Sequence, residues 1–259
     1  MTLALILTAT LVSGLLSMVA AAWLSFGVLA RLVRHLVSLS VGLLLATAVL
    51  HLLPEGFGSG ADAHALAWTL LAGLIGFIAL ERLSILRHSH HHEGDGHAHD
   101  HGHDEREAGP GGMLVLVGDT VHNFGDGILI AAAFLISPEV GWLTALAVAA
   151  HEIPQEVGDF LVLLNAGYTK RRAYVYNAVA SLSAVLGGLI GYLFLEAATG
   201  VLPFVLMIAA ASFIYIALAD LIPVMHRNVR VGDALQQFAF IGLGVGVIAA
   251  VTSLLHGHG

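Results

Sequence analysis

The chain of 259 residues contains no cysteine and few charged residues. Without cysteine there is neither a disulfide framework nor a thiolate metal site, so a bound metal must use nitrogen and oxygen ligands. Asp, Glu, Lys and Arg together make up 11% of the residues, whereas 58% are hydrophobic. A soluble domain carries about twice that share of charge. We therefore expect an integral membrane protein in a lipid bilayer.

Eight apolar stretches follow one another along the sequence, each long enough for the roughly 20 residues of a membrane-spanning helix. The first lacks the basic leader and short apolar core of a signal peptide, so we interpret it as a helix. The stretches predict an all-α membrane protein with eight transmembrane helices in one transmembrane domain over residues 1–259. They lie at roughly residues 3–30, 36–57, 64–86, 113–136, 140–165, 173–197, 201–225 and 234–255.

All ten basic residues fall on one side of the predicted bundle if its connections alternate between two faces. Lys and Arg are retained on the cytoplasmic side of a membrane. Both chain termini are therefore predicted on the non-cytoplasmic side. The basic residues are Arg31, Arg34, Arg82, Arg87, Arg106, Lys170, Arg171, Arg172, Arg227 and Arg230.

One predicted connection, residues 88–112, is long and holds eight histidines mixed with acidic residues and glycine. Such a composition cannot form a hydrophobic core, so we expect a disordered cytoplasmic loop between the third and fourth helices. Its imidazoles and carboxylates suit loose capture of a divalent metal, but a soluble linker would explain them as well. The candidate loop ligands are His90, His92, His97, His99, His101 and His103.

The fourth and fifth stretches carry polar residues through their middles. Residues three and four apart share a face of a helix, so each stretch presents one polar face. A charged side chain at a helix centre costs about 2.5–3.5 kcal/mol on insertion scales, and no Lys or Arg is placed to neutralise these. The residues are Asp119, His122, Asn123 and Asp126 in the fourth stretch, and His151, Glu152, Gln155, Glu156 and Asp159 in the fifth.

A divalent cation would neutralise these carboxylates, and imidazole nitrogen favours zinc or ferrous iron over magnesium. A polar network that only fixes helix packing is the alternative. Pro154 removes a backbone hydrogen bond and frees the carbonyl of Ala150, which predicts a kink among the ligands. Glycines at 125, 127 and 158 are expected to let the two helices approach closely.

Residues 122–127 (HNFGDG) and 151–159 (HEIPQEVGD) resemble the signature motifs of helices 4 and 5 in the ZIP (Zrt/Irt-like) family of divalent-metal transporters. Further matches are residues 51–55 (HLLPE), Glu81 before the histidine-rich loop, and residues 215–223 (YIALADLIP). The resemblance covers nearly the whole chain. It implies a ZIP-like bundle with a binuclear metal centre midway across the membrane.

The resemblance also implies ligands. Gln155 stands where many members have His or Glu, and a neutral amide is a weak ligand, so we expect one ion to be held more firmly than two. Where some members have a ligand in helix 6, this chain has only the polar residues Asn177 and Ser181. The implied ligands are His122, Asp126, His151 and Gln155 at one position and Asn123 and Glu152 at the other, with Asp126 and Gln155 available as bridges.

Other polar residues mark a candidate ion route. Asp119, Glu156 and Asp159 lie toward the predicted cytoplasmic side of the centre and could relay an ion inward, and Glu156 is also a candidate metal ligand. His51 and Glu55 lie near the outer end of the second helix, either as entrance groups or as packing partners.

The resemblance implies a transporter that moves a divalent transition metal into the cytoplasm by alternating access, and not an enzyme. We expect Zn²⁺ as the substrate, with Fe²⁺, Mn²⁺ and Cd²⁺ as alternatives, and no cofactor. The expected partners are the ion, the bilayer and a second copy in a homodimer, with no nucleic acid. The expected location is a bacterial or archaeal inner membrane.

Two other functions share parts of these motifs. A metal exporter of the cation-diffusion type has H-x-x-x-D pairs and histidine-rich loops, but usually six helices, cytoplasmic termini and a soluble C-terminal domain. An intramembrane metallohydrolase would use H-E-x-x-H, but Gln155 replaces the second histidine and Pro154 bends the helix between them.

Overall fold

The computed structural model describes residues 1–24, 29–89, 105–225 and 231–256. Within these ranges the chain is helical and contains no strand, which confirms the predicted all-α class. The α-helices are α1 Thr2–Leu24, α2 Leu29–Thr47, α3 Leu53–Gly58, α4 Ala63–Ser89, α5 Glu105–Ile136, α6 Pro138–Asn165, α7 Lys170–Ser181, α8 Ser183–Leu195, α9 Leu202–Tyr215, α10 Ile222–Met225 and α11 Val231–His256.

Several of these helices continue into one another without a break. A π-helical segment, Ala48–Leu52, joins α2 to α3, and a second, Ile216–Leu221, joins α9 to α10. The flanking residues keep right-handed helical dihedrals, as does Leu182 between α7 and α8. π-Helical turns occur frequently at functional sites. The first segment contains His51, and the second contains Asp220.

Six helical stretches among the described residues are long and apolar enough to cross a membrane. Two long helices fall outside this set: α5 and α6 are 32 and 28 residues long but carry acidic residues along their middles. Large apolar side chains such as Trp68, Phe194 and Phe238 point outward, as a lipid environment requires. The six are Thr2–Ala20, His35–Gly58, Ala63–Leu80, Lys170–Leu195, Thr199–Ala219 and Asp233–Ser253.

The ends of α4 and α5 reach into the predicted histidine-rich loop. Helix α4 continues to Ser89 and α5 begins at Glu105. The candidate loop ligands, from His90 to His103, lie outside the described residues.

The helices pack in two groups. In the first group, α5 lies against α8 and α6, and α1 packs on α6 and α8. In the second, α2 lies against α11, and α4 against α9. Helix α6 also packs on α2, so it joins the two groups at the level of the polar residues.

Glycine sets the close approach of α5 to α8. A Cβ atom on Gly127 would overlap the backbone carbonyl of Ala184, and one on Gly187 would overlap that of Phe124. Gly127 therefore allows a close approach, but to α8 and not to α6, so the predicted approach of α5 to α6 at this glycine is wrong. The same expectation for Gly125 and Gly158 is wrong, because a Cβ atom at either position would meet open space.

Pro154 lies inside α6, and the carbonyl that it frees has a partner from another helix. The Oγ atom of Ser40, in α2, lies 2.5 Å from the backbone oxygen of Ala150 and 2.8 Å from that of Leu36. The hydroxyl therefore donates to a carbonyl that proline leaves without its helical N–H. This contact fixes α6 against α2 one residue before His151.

We expect Ser40→Ala to lower the stability of the protein by about 1 kcal/mol, because the half-buried carbonyl of Ala150 loses its donor. The thermal unfolding midpoint in detergent measures this effect. Ser253→Ala is the matched control, since Ser253 donates to Ala250 within its own helix and, among the described residues, contacts no other helix through its hydroxyl. Equal midpoints for the two variants would show that the Ser40 contact contributes nothing.

Candidate metal centre

Four side chains from α5 and α6 bring ligand atoms together. His122 and Asp126 lie one turn apart on α5, and His151 and Glu152 are consecutive on α6. One atom of each, two imidazole nitrogens and two carboxylate oxygens, lies within 4.8 Å of the other three. This is the ligand chemistry that zinc and ferrous iron accept in the absence of thiolates.

The distances between these atoms suit a single tetrahedral ion. His151 Nε2 lies 3.2 Å from both Asp126 Oδ2 and His122 Nε2. Glu152 Oε1 lies 3.5 Å from His122 Nε2 and 3.7 Å from His151 Nε2, and His122 Nε2 lies 3.7 Å from Asp126 Oδ2. Zinc bonds of about 2.0–2.1 Å at tetrahedral angles separate ligand atoms by about 3.3–3.4 Å. These five separations bracket that value, and the two carboxylate oxygens lie within 4.8 Å of each other.

The carboxylates of the centre are buried, which makes their negative charge unfavourable unless a cation is present. The side chains of Asp126 and Glu152 are each 2% exposed, and that of His151 is fully buried. Within the described part of the chain, neither oxygen of Glu152 accepts a hydrogen bond. Two carboxylates this close together in a buried site repel each other. A divalent cation bound between them would attract both and outweigh that repulsion.

A backbone contact orients one ligand. The Nδ1 atom of His151 lies 3.2 Å from the carbonyl oxygen of Ala147, one turn earlier in α6. A proton on Nδ1 donates to that oxygen and leaves the lone pair of Nε2 directed toward the other ligands. The neighbouring ring of Phe213 packs 6.2 Å from the imidazole, centroid to centroid.

Two of the candidate ligands point away from the four-atom group. Asn123 Nδ2 donates to Asp119 Oδ1 at 2.9 Å, and Gln155 Nε2 donates to the same oxygen at 3.1 Å. Both amides thus converge on Asp119, one turn from His122. The structure brings these three residues together as a separate polar group.

Glu156 faces α7. Its carboxylate accepts a hydrogen bond from the Ser181 hydroxyl, and Asn177 Nδ2 donates to its backbone oxygen at 3.1 Å. These two α7 residues stood out in the sequence only as polar positions in an apolar stretch. Spacing along one helix cannot reveal a partner on another.

A cavity of about 760 Å³ opens beside the centre and runs along α5 and α6. His122 and His151 line it, and so do Asp119, Gln155 and Asp159. His122 is the exposed ligand of the four, with 26% of its side chain accessible. His51 is buried in the first π-helical segment and Glu55 is half-buried in α3; neither belongs to the four-atom group.

A sequence model of the ZIP zinc transporters matches residues 81–252, which include α5 and α6. The chain belongs to the ZIP family. This ZIP protein is therefore a multi-pass integral membrane protein, and its family consists of transporters.

Individual ZIP proteins match much of the chain. Zinc transporter ZIP13 of Pongo abelii is 32% identical over 237 residues, covering 83% of this chain and 65% of the relative. ZIP13 of Mus musculus is 31% identical over 260 residues, covering 85% and 70%. Zinc transporter ZIP10 of Mus musculus is 43% identical over 112 residues, covering 43% of this chain and 13% of ZIP10. This ZIP protein thus spans about 65% of the first relative and a far smaller part of ZIP10.

Proposed function

We propose that this ZIP protein moves a divalent transition metal ion, Zn²⁺ foremost, across the membrane into the cytoplasm. The four converging ligand atoms of His122, Asp126, His151 and Glu152 carry the proposal. Two nitrogens and two oxygens at near-tetrahedral separations match zinc. Fe²⁺, Mn²⁺ and Cd²⁺ are the alternative substrates, whereas Mg²⁺ requires six oxygen ligands.

Alternating access is the proposed mechanism. The cavity reaches the centre from the side where α5 begins and α6 ends, the side to which the sequence assigns Lys170 and its basic neighbours. We propose eight membrane spans with both termini on the opposite side, α5 and α6 being spans in which the ion neutralises the acidic residues. The two packing groups would move against each other, with α6 at their boundary.

The proposed centre holds one ion, because Asn123 and Gln155 direct their amides to Asp119. The exporter alternative has no support in the relatives. The hydrolase alternative needs a second α6 ligand at Gln155, and that amide is engaged elsewhere.

Three predictions from the sequence go with this function. A homodimer and a disordered cytoplasmic loop between α4 and α5 remain predictions, but the predicted bounds of the loop, 88–112, are wrong at both ends, because α4 continues to Ser89 and α5 begins at Glu105. So does a bacterial or archaeal inner membrane, but the relatives that match are animal proteins and lend that location no support.

Deleting residues 90–104, which contain the loop histidines, is expected to change the apparent affinity for zinc while flux at saturating zinc persists. In this account the loop histidines only capture metal loosely, whereas the ion crosses through α5 and α6. Zinc uptake as a function of zinc concentration measures the change. Complete loss of flux in a folded deletion variant would mean that the essential ligands lie in the loop.

Metal flux into sealed proteoliposomes of known protein orientation tests the function itself. Zn²⁺, Fe²⁺ and Mn²⁺ are offered separately, with a pH difference imposed in either direction. We expect zinc to enter from the side of the termini without a proton gradient. Flux that starts at the cytoplasmic face and requires an opposing proton gradient would identify an exporter.

A further inference from the structure

Asp119 is a buried carboxylate with one oxygen engaged and the other unused. Its Oδ1 atom accepts from the amides of Asn123 and Gln155, which fix the orientation of the group. Its Oδ2 atom is buried and, among the described residues, receives no hydrogen bond. The whole residue is only 4% exposed. A fixed, buried carboxylate with an unused oxygen is a strong attractor for a cation.

The cavity connects this carboxylate with the metal centre. It is lined by His122 and His151 at the centre and by Asp119 and Asp159 farther along. Among the described residues that line it, none is Lys or Arg, so no fixed positive charge opposes a cation there. An ion leaving His122 along this cavity meets Asp119 within one helical turn.

We propose that Asp119 forms a second, oxygen-only position for a divalent cation, one turn from the four-ligand centre. Rotation of the Gln155 amide would turn its carbonyl oxygen toward the same point, because the two ends of an amide exchange donor for acceptor. This inference rests on the proposed transport function. The position differs from the second site that the family resemblance implies, which would use Asn123 and Glu152.

The two positions differ in strength. Imidazole nitrogens and two carboxylates hold a transition metal at the centre, whereas one carboxylate and the neutral amide oxygen of Gln155 hold it at Asp119. The weaker position receives the ion and releases it toward Asp159. Asp119 therefore governs the rate at which the ion leaves the centre.

The number of zinc ions bound at saturation by the purified full-length protein tests the proposal. The proteins compared are wild type, Asp119→Asn, Asp126→Ala and the double variant. We expect each single variant to bind one ion fewer than wild type, and the double variant two fewer. Every protein in the comparison keeps the histidine-rich loop. Zinc bound by that loop therefore contributes equally to each count and does not affect the differences between variants. Glu139→Gln, an exposed change in the first turn of α6, is the control and should match wild type.

The outcomes separate the two claims. If Asp119→Asn binds as many ions as wild type, the second position does not exist, whatever Asp126→Ala does. If Asp126→Ala alone loses nothing, the four-ligand centre of the proposed function fails, while a loss in Asp119→Asn would still stand.

A kinetic measurement excludes a purely structural role. Asparagine keeps the shape of Asp119 and can still accept from both amides, so the unfolding midpoint should not fall. We expect the maximal zinc flux to drop by about tenfold while the apparent affinity for external zinc changes by less than about twofold. Asp119→Glu, which restores the charge, should recover part of the flux. Equal flux in the Asn and Glu variants would overturn the role of the charge.

Discussion

Zinc uptake by Asp126→Ala is expected to fall by more than about 100-fold. The substitution removes a direct ligand of the ion, which costs more than removing a residue that only orients a ligand. Asp126 Oδ2 lies 3.2 Å from His151 Nε2 and 3.7 Å from His122 Nε2, so it belongs to the core of the four-atom group. Its loss leaves three ligands and removes one of two charges that balance the cation. Uptake of radioactive zinc, normalised to the protein in the membrane, measures the change.

His151→Ala should behave in the same way, since its imidazole makes the two shortest contacts of the group. Glu139→Gln serves as control, because Glu139 is an exposed acid at the opposite end of α6 from Asp159. Near-normal uptake by both ligand variants, at normal expression, would refute the centre.

Gly127→Ala is expected to lower the free energy of unfolding by more than the roughly 1–3 kcal/mol that is typical of an overpacked core. We expect the same substitution to abolish zinc transport. The added methyl group would overlap the backbone carbonyl of Ala184, which cannot turn aside as a side chain can. Helices α5 and α8 must then separate, and Asp126 moves with α5. The unfolding midpoint and zinc uptake of the purified variant measure both effects.

Gly125→Ala is the matched control for this substitution. It adds the same methyl group two residues away in the same helix, but to a position with open space around it. We expect its unfolding midpoint to equal or exceed that of wild type, because alanine stabilises a helix relative to glycine. Similar losses of stability and zinc uptake in both variants would show that the effect of Gly127→Ala does not come from the α5–α8 contact.

The all-helical architecture follows from the apolar stretches, but the internal shape of the spans does not. The sequence around His51 looks like continuous helix, and the structure inserts a π-helical segment there. Such a segment depends on how the helix is held by its neighbours, and composition does not signal it. Likewise, glycine predicts a close approach in general, yet only the packed bundle selects Gly127 over Gly125.

For the candidate site, helical spacing identifies the polar faces of α5 and α6 but not the direction of each side chain. Asn123 and Gln155 have a carboxylate, Asp119, within hydrogen-bond distance, and their amides turn to it. Glu156 accepts a hydrogen bond from Ser181, 25 residues away in sequence, and Ala150 accepts one from Ser40 at a separation of 110. Contacts at such separations are set by tertiary packing, which a periodic pattern in one helix does not contain.

X-ray absorption at the zinc edge tests the central claim, that His122, Asp126, His151 and Glu152 hold the transported ion. The full-length protein is loaded with less than one zinc ion per chain, so that the strongest position fills first. We predict four nitrogen and oxygen ligands at about 2.0–2.1 Å with the scattering signature of two imidazoles, lost in Asp126→Ala. A zinc shell that is the same in wild type and Asp126→Ala would contradict the claim.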